Sequence, residues 1–222
     1  MTPAHARRLD ALKYADSYTR MGALIALQRY PRFWSHMAAE WSGCDNIASH
    51  HGKITWLLHT HQEKHGFPIG DAMTAEACEA YVALPDECTV WRGCYSHNVH
   101  GMSWTLSRET AAKFPFLIRY RHERAVDRAL LIEGRIRKAD VAFVVMDRGE
   151  AEVVVLPRHV RIVAQSLAYD ALEVDAQRGL FPEGRPPPRN ETAALPGAAA
   201  EQHQRESTVY DRHNDRDRPS ST

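Results

Sequence analysis

The sequence predicts an α+β protein, and three observations carry that expectation. Apolar residues from about 5 to 83 recur at helical spacing. From Pro85 onward they fall into short runs of β character. Beyond about Ala176 the chain becomes polar, charged and proline-rich, with Pro186, Pro187 and Pro188 in succession. The expected division is a helical accessory part over 1–84, a β-rich core over 85–176 and a disordered tail over 177–222. Such a tail cannot bury enough apolar area to offset the entropy of ordering it.

The helical part is justified element by element. Leu9, Leu12, Tyr14, Met21, Leu24, Ile25 and Leu27 fit one long helix or two short ones. Pro31 is expected to open the next helix at its first turn, because a missing N–H costs nothing there. That helix carries Phe33, Trp34, Met37 and Trp41, and Gly43 can end it. The pattern resumes from Ile47 to His65 through Ile54, Trp56, Leu57 and Leu58 until Gly66, Pro68 and Gly70 break it. Thr74 is a good N-cap, with Glu76 in the first turn, for a short helix ending near Leu84.

The β-rich part begins with the strand candidates Thr89–Gly93 and Gly101–Leu106. Ser107 can cap a short helix that runs to about Phe114 and stops at Pro115. Ala129–Ile136, Val141–Val145, Glu150–Leu156 and His159–Ala164 read as further strands, the last two joined through Pro157 and Arg158.

Composition narrows the function. The chain has 222 residues, 44% hydrophobic and 25% charged, enough for one large domain or a domain with an accessory piece. Its formal net charge is zero, so no global field points to nucleic acid or to a membrane surface. Cys44, Cys78, Cys88 and Cys94 lack metal-ligand or paired spacing and read as reduced core thiols. No stretch is long and apolar enough to span a bilayer, and no secretory leader is evident. The expectation is a soluble cytoplasmic protein.

The most informative stretch is Asp147-Arg148-Gly149-Glu150-Ala151-Glu152-Val153, a turn feeding a strand that opens with two acids. Side chains alternate along a strand, so Glu150 and Glu152 share one face while Ala151 and Val153 share the other. By itself the pattern fits a solvated strand edge, where charge opposes aggregation. Upstream, Arg92 sits on a strand with Gly93 after it, and Ser103 and Thr105 share a face of the next strand.

This order of basic, hydroxyl and paired acidic residues resembles the Arg-Ser-Glu class of ADP-ribosyltransferases, toxin-like enzymes that use NAD. The family carries an arginine on its first core strand, a Ser-Thr-Ser-like motif on a second and a Glu-x-Glu or Gln-x-Glu motif on a later one. Here the three read Trp91-Arg92-Gly93, Ser103-Trp104-Thr105 and Glu150-Ala151-Glu152, and the resemblance covers about Thr89 to Ala164. Phe114 follows Ser103 by eleven positions, where the family often sets an aromatic ring against nicotinamide. Two departures stand out. Trp104 takes the middle of the hydroxyl motif, and the link after Phe114 is short and basic, with Arg119, Arg121, His122 and Arg124.

The resemblance implies a mostly antiparallel core and NAD as co-substrate, with no metal. It implies that Glu152 stabilises an oxocarbenium-like ribose and holds its 2′-hydroxyl. Arg92 binds a phosphate of NAD, and Gly93 lets the backbone approach the carboxamide. Ser103 orients Glu152, Thr105 supports the strand, and Phe114 stacks on nicotinamide. Glu150 selects the acceptor; glutamate there goes with a protein arginine. Enzymes of this kind occur in bacteria and phages. NAD hydrolysis is the sub-case in which water is the acceptor, and a non-catalytic binding or scaffold protein on the same fold is the second reading.

Other signals point less far. His50, His51, His59, His61 and His65 cluster in sequence, but no Asp or Cys stands at a matching offset for a metal. Trp34, Trp41 and Trp56 read as core. Cys94 has no evident base. The arginines between Arg119 and Arg128 read as a solvated loop rather than a nucleic-acid or acidic-partner site.

Overall fold

The computed structural model describes residues 3–117, 128–147, 150–168 and 170, and only the backbone at Glu150. The expected basic loop from Arg119, most of the link to β3, the turn at 148–149 and the tail over 177–222 lie outside the described residues. Five helices come first: α1 (Pro3–Lys13), α2 (Arg20–Ile25), α3 (Phe33–Glu40), α4 (His51–His65) and α5 (Ala75–Ala83). The strands are β1 (Glu87–Cys94), β2 (Ser103–Thr105), β3 (Leu130–Arg137), β4 (Val141–Asp147), β5 (Glu150–Val155) and β6 (Arg161–Leu167), with α6 (Arg108–Lys113) after β2. They form one sheet in the order β4-β5-β2-β1-β3-β6, and every neighbouring pair is antiparallel. The protein is α+β.

Local chemistry accounts for several boundaries. The Thr74 hydroxyl accepts from the Ala77 N–H at 3.2 Å and starts α5. Ser107 does the same for α6, accepting from Thr110 at 3.1 Å. Pro31 does not open α3. Arg32 follows it in the left-handed region at φ 61°, so the chain is still turning there and the helix starts at Phe33. Trp41 leaves α3 for a 3₁₀ turn, Trp41–Gly43, that tightens the last turn onto the sheet. β6 begins at Arg161, because Pro157 and His159 belong to a 3₁₀ turn and Pro157 has no N–H for a ladder.

The two faces of the sheet are covered differently. On one face Cys88, Val90, Trp104, Ile132, Val144, Val153 and Val155 pack with Ala77 and Leu84 of the α5 region. On the other, Phe143, Val145 and Val154 join Met21, Leu24, Met37, Trp41, Ile54 and Leu58 in a core shared with the N-terminal helices. The change of pattern near Pro85 is thus a change of secondary structure with one core running through it. Further along this face, α6 covers Leu131 through Ala111 and Ala112.

Gly93 shows how closely α6 approaches. A Cβ there would stand 1.8 Å from the Ala111 carbonyl oxygen and 2.7 Å from Pro115 Cδ. The bare Cα faces helix backbone. Gly93→Ala is expected to cost about 3 kcal/mol, the upper range for overpacking, because backbone must move to relieve it. Urea denaturation of the two proteins measures the difference.

Candidate active site

Strand pairing brings the separated motifs together. Thr105 lies opposite Glu152, and Ser103 opposite Val154, so the hydroxyl motif and the acid share one face of adjacent strands. Ser103 and Glu152 are held from above by Trp41. The indole N–H lies 2.9 Å from Ser103 Oγ and 2.8 Å from Glu152 Oε1, one donor shared by two acceptors. The Trp41 ring is 1% exposed and stands edge-on to Phe143, with centroids 5.5 Å apart at 90°. Ser42 Oγ reaches Glu152 Oε2 at 3.5 Å.

Electrostatics at Glu152 are a contest. Loss of hydration pushes its carboxyl pKa up, and this effect dominates. Hydrogen bonds from Ser103 and Trp41, the Arg92 charge and Ser42 pull it back down. The acid is thus destabilised as an anion, yet surrounded by donors aimed at it.

Arg92 reaches the same cluster from β1. Its Nη1 donates to the Ser103 carbonyl at 2.7 Å, and its Nε donates to the Asn98 carbonyl at 3.2 Å. The guanidinium lies against Gly101, where a Cβ would come within 2.2 Å of Cζ. Burial lowers its pKa, with Cys94 and Glu152 opposing, and an arginine stays charged regardless. Its fork clasps the segment from Asn98 to Ser103, so it positions β2. Arg92→Lys should lose the two-pronged grip. We expect about 1–3 kcal/mol less stability, by thermal denaturation, from carbonyls left poorly paired.

Thr105 Oγ1 accepts from the Ser107 N–H at 3.0 Å and so shapes the entry to α6. Phe114, 39% exposed, stands where α6 passes into a 3₁₀ turn, Phe114–Phe116. Trp104 is buried on the opposite face and donates to the Gly101 carbonyl at 3.1 Å, so its bulk stays clear of Glu152. The Glu150 backbone pairs with Asp147 of β4, and its side chain lies outside the described residues. Burial pushes the Cys94 thiol up, against Arg92, which makes it a poor nucleophile. Cys44 is pushed up to about 12 by burial.

Trp41, Ser42 and Gly101 were not legible as site residues. Trp41 follows the helical spacing of a core residue, and nothing local ties it to an acid 111 positions away. A cavity of about 570 Å³ adjoins the cluster through Ser42 and is bordered by Arg20, Glu40, Asp71, Thr74 and Asp147. Among the described residues no group of three or more His, Cys, Asp or Glu side chains is arranged to hold a metal, and no helix is long and apolar enough to cross a membrane.

No protein-family model, curated protein or solved structure matches this chain.

Proposed function

We propose that the protein is an NAD-dependent mono-ADP-ribosyltransferase that modifies a protein arginine. One observation carries the reading: Ser103 and Glu152, distant in sequence, share the Trp41 indole N–H, and Arg92 donates to the Ser103 backbone carbonyl beside them. A carboxylate built into a pocket of donors, yet costly to ionise, is a group whose charge is kept for chemistry.

In this reading the C1′–N bond of NAD breaks, the bonding electrons leave with nicotinamide, and positive charge develops on the ribose. Glu152 stabilises that charge from a fixed position, so little reorganisation is needed as it forms. Ser103 and Trp41 hold the carboxylate, and Arg92 holds the strand that carries Ser103. Phe114 offers a ring to nicotinamide. The acceptor guanidinium nitrogen attacks C1′ and loses a proton, and Glu150 polarises it for that attack. The neighbouring cavity carries the Asp71 and Asp147 carboxylates beside an Arg20–Glu40 ion pair, a net acidic lining that favours a cationic acceptor.

The test uses labelled NAD, cell lysate and the full chain beside Glu152→Gln. Label on protein, absent with the variant, is the expected result. Nicotinamide release without label identifies an NAD glycohydrolase. Absence of NAD binding by calorimetry leaves a non-catalytic scaffold and overturns the proposal.

A further inference from the structure

Trp56 was expected in the core, yet it is 53% exposed. It belongs to one face of α4, where residues three and four apart lie together. That face and the start of α3 border an open pocket of about 350 Å³. Its walls combine Trp34 and Trp56 with Arg29, Lys53 and Lys64, and none of the lining residues is acidic. Lys53 Nζ stands 4.0 Å from the centroid of the Trp56 ring, so a cation and an aromatic surface occupy one spot. His61, also in the wall, is set edge-on to Trp34 at 5.4 Å. The nearby acid Glu63 points instead to His59, at 3.3 Å.

Positive charge concentrated beside indole rings calls for a ligand with a flat π face and a negative group. The pocket shares no lining residue with the larger cavity and none with the Glu152 cluster. Its volume lies at the small end for ligand sites, sized for one base with its phosphate rather than for a dinucleotide. We propose that this pocket is a second nucleotide site, which takes a phosphorylated nucleoside by stacking on Trp56 and pairing its phosphate with Lys53, Lys64 and Arg29. The unit could be a free nucleotide or one nucleotide of a single strand; the chemistry is the same. A net charge of zero over the whole chain conceals this local excess.

The proposal is independent of the transferase reading and is tested on the full chain. AMP is titrated by calorimetry, and a fluorescent ten-nucleotide single strand by anisotropy, against the wild type, Trp56→Ala and Lys53→Ala/Lys64→Ala. All three substituted positions are surface-facing, and circular dichroism checks that the variants fold. Binding is expected to weaken roughly five- to hundredfold in Trp56→Ala, the range for loss of one stacked base, and to weaken with salt in the wild type. AMP binding as tightly as the strand identifies a free-nucleotide site; a much tighter strand with a steeper salt dependence identifies a single-strand site. Binding of either probe that is unchanged in both variants overturns the proposal, as does no binding. So does a polyglutamate peptide that binds as tightly as the nucleotides and ignores Trp56→Ala, since that marks a plain anion surface. AMP held at the Glu152 cluster would be insensitive to Trp56 and is thereby told apart.

Discussion

Glu152→Gln is expected to abolish the proposed ADP-ribosyl transfer and, at neutral pH, to make the protein harder to unfold. The first effect follows from charge. Glutamine keeps the shape and accepts the Trp41 N–H, but it cannot balance a developing ribose cation, and a loss of about 10³-fold or more is expected in kcat. The second follows from linkage. Burial holds the Glu152 pKa above its ordinary value. Between the unfolded and folded values the native state binds more protons than the unfolded chain, so stability falls as pH rises through that window and stays lower above it. Glutamine carries no such penalty. Its Tm should exceed that of the wild type at pH 7 by a few degrees, at about 2–4 °C per kcal/mol for a chain of this size. The advantage should vanish below the ordinary glutamate range. Calorimetric scans at acid and neutral pH measure it. A variant that is inactive and also less stable at pH 7 would show that Glu152 serves the fold.

Trp41→Phe isolates the indole N–H from the ring. Phenylalanine preserves the edge-on packing against Phe143 but removes the one donor shared by Ser103 and Glu152. The carboxylate then loses one of the hydrogen bonds that hold its pKa down, so the pKa rises further. Because the proposed transfer needs the ionised form, the acid limb of the kcat profile should move to higher pH. At pH 7 kcat should fall about 10–100-fold, the scale of losing one preorganised donor, and recover in part on alkalinisation. KM for NAD should change little. Steady-state kinetics across pH decide this, since a residue that merely packs would lower kcat without moving the limb. Trp41→Ala is a different experiment: it empties a core position and should cost about 3–5 kcal/mol.

The strands and caps were legible because their causes are local. Thr74 and Ser107 start helices with their own hydroxyls, and runs such as Val141–Val145 are apolar over the length of a buried strand. The pairing of Glu152 with Thr105 was not legible, since a register depends on which strands become neighbours. Arg92 illustrates the limit. Its residue type and its place before Gly93 are readable, but whether its fork meets a ligand or the carbonyls of Asn98 and Ser103 depends on the path of the loop between β1 and β2. Trp56 failed in the opposite sense, as an apolar residue at helical spacing that the packing left outside.

Periodicity, capping chemistry and composition, read from the chain alone, determined that helices precede a β-rich part, while Arg92, Ser103 and Glu152 stood out only through a resemblance of their motifs to a known family. Those properties depend on neighbours within a few positions. Tertiary structure decided that α3's terminal turn would carry Trp41 onto the acid, that α6 would lie on Gly93 and that α4 would turn Trp56 outward. Each is a contact between residues far apart in sequence, set by how whole elements minimise exposed apolar area and satisfy buried polar atoms together.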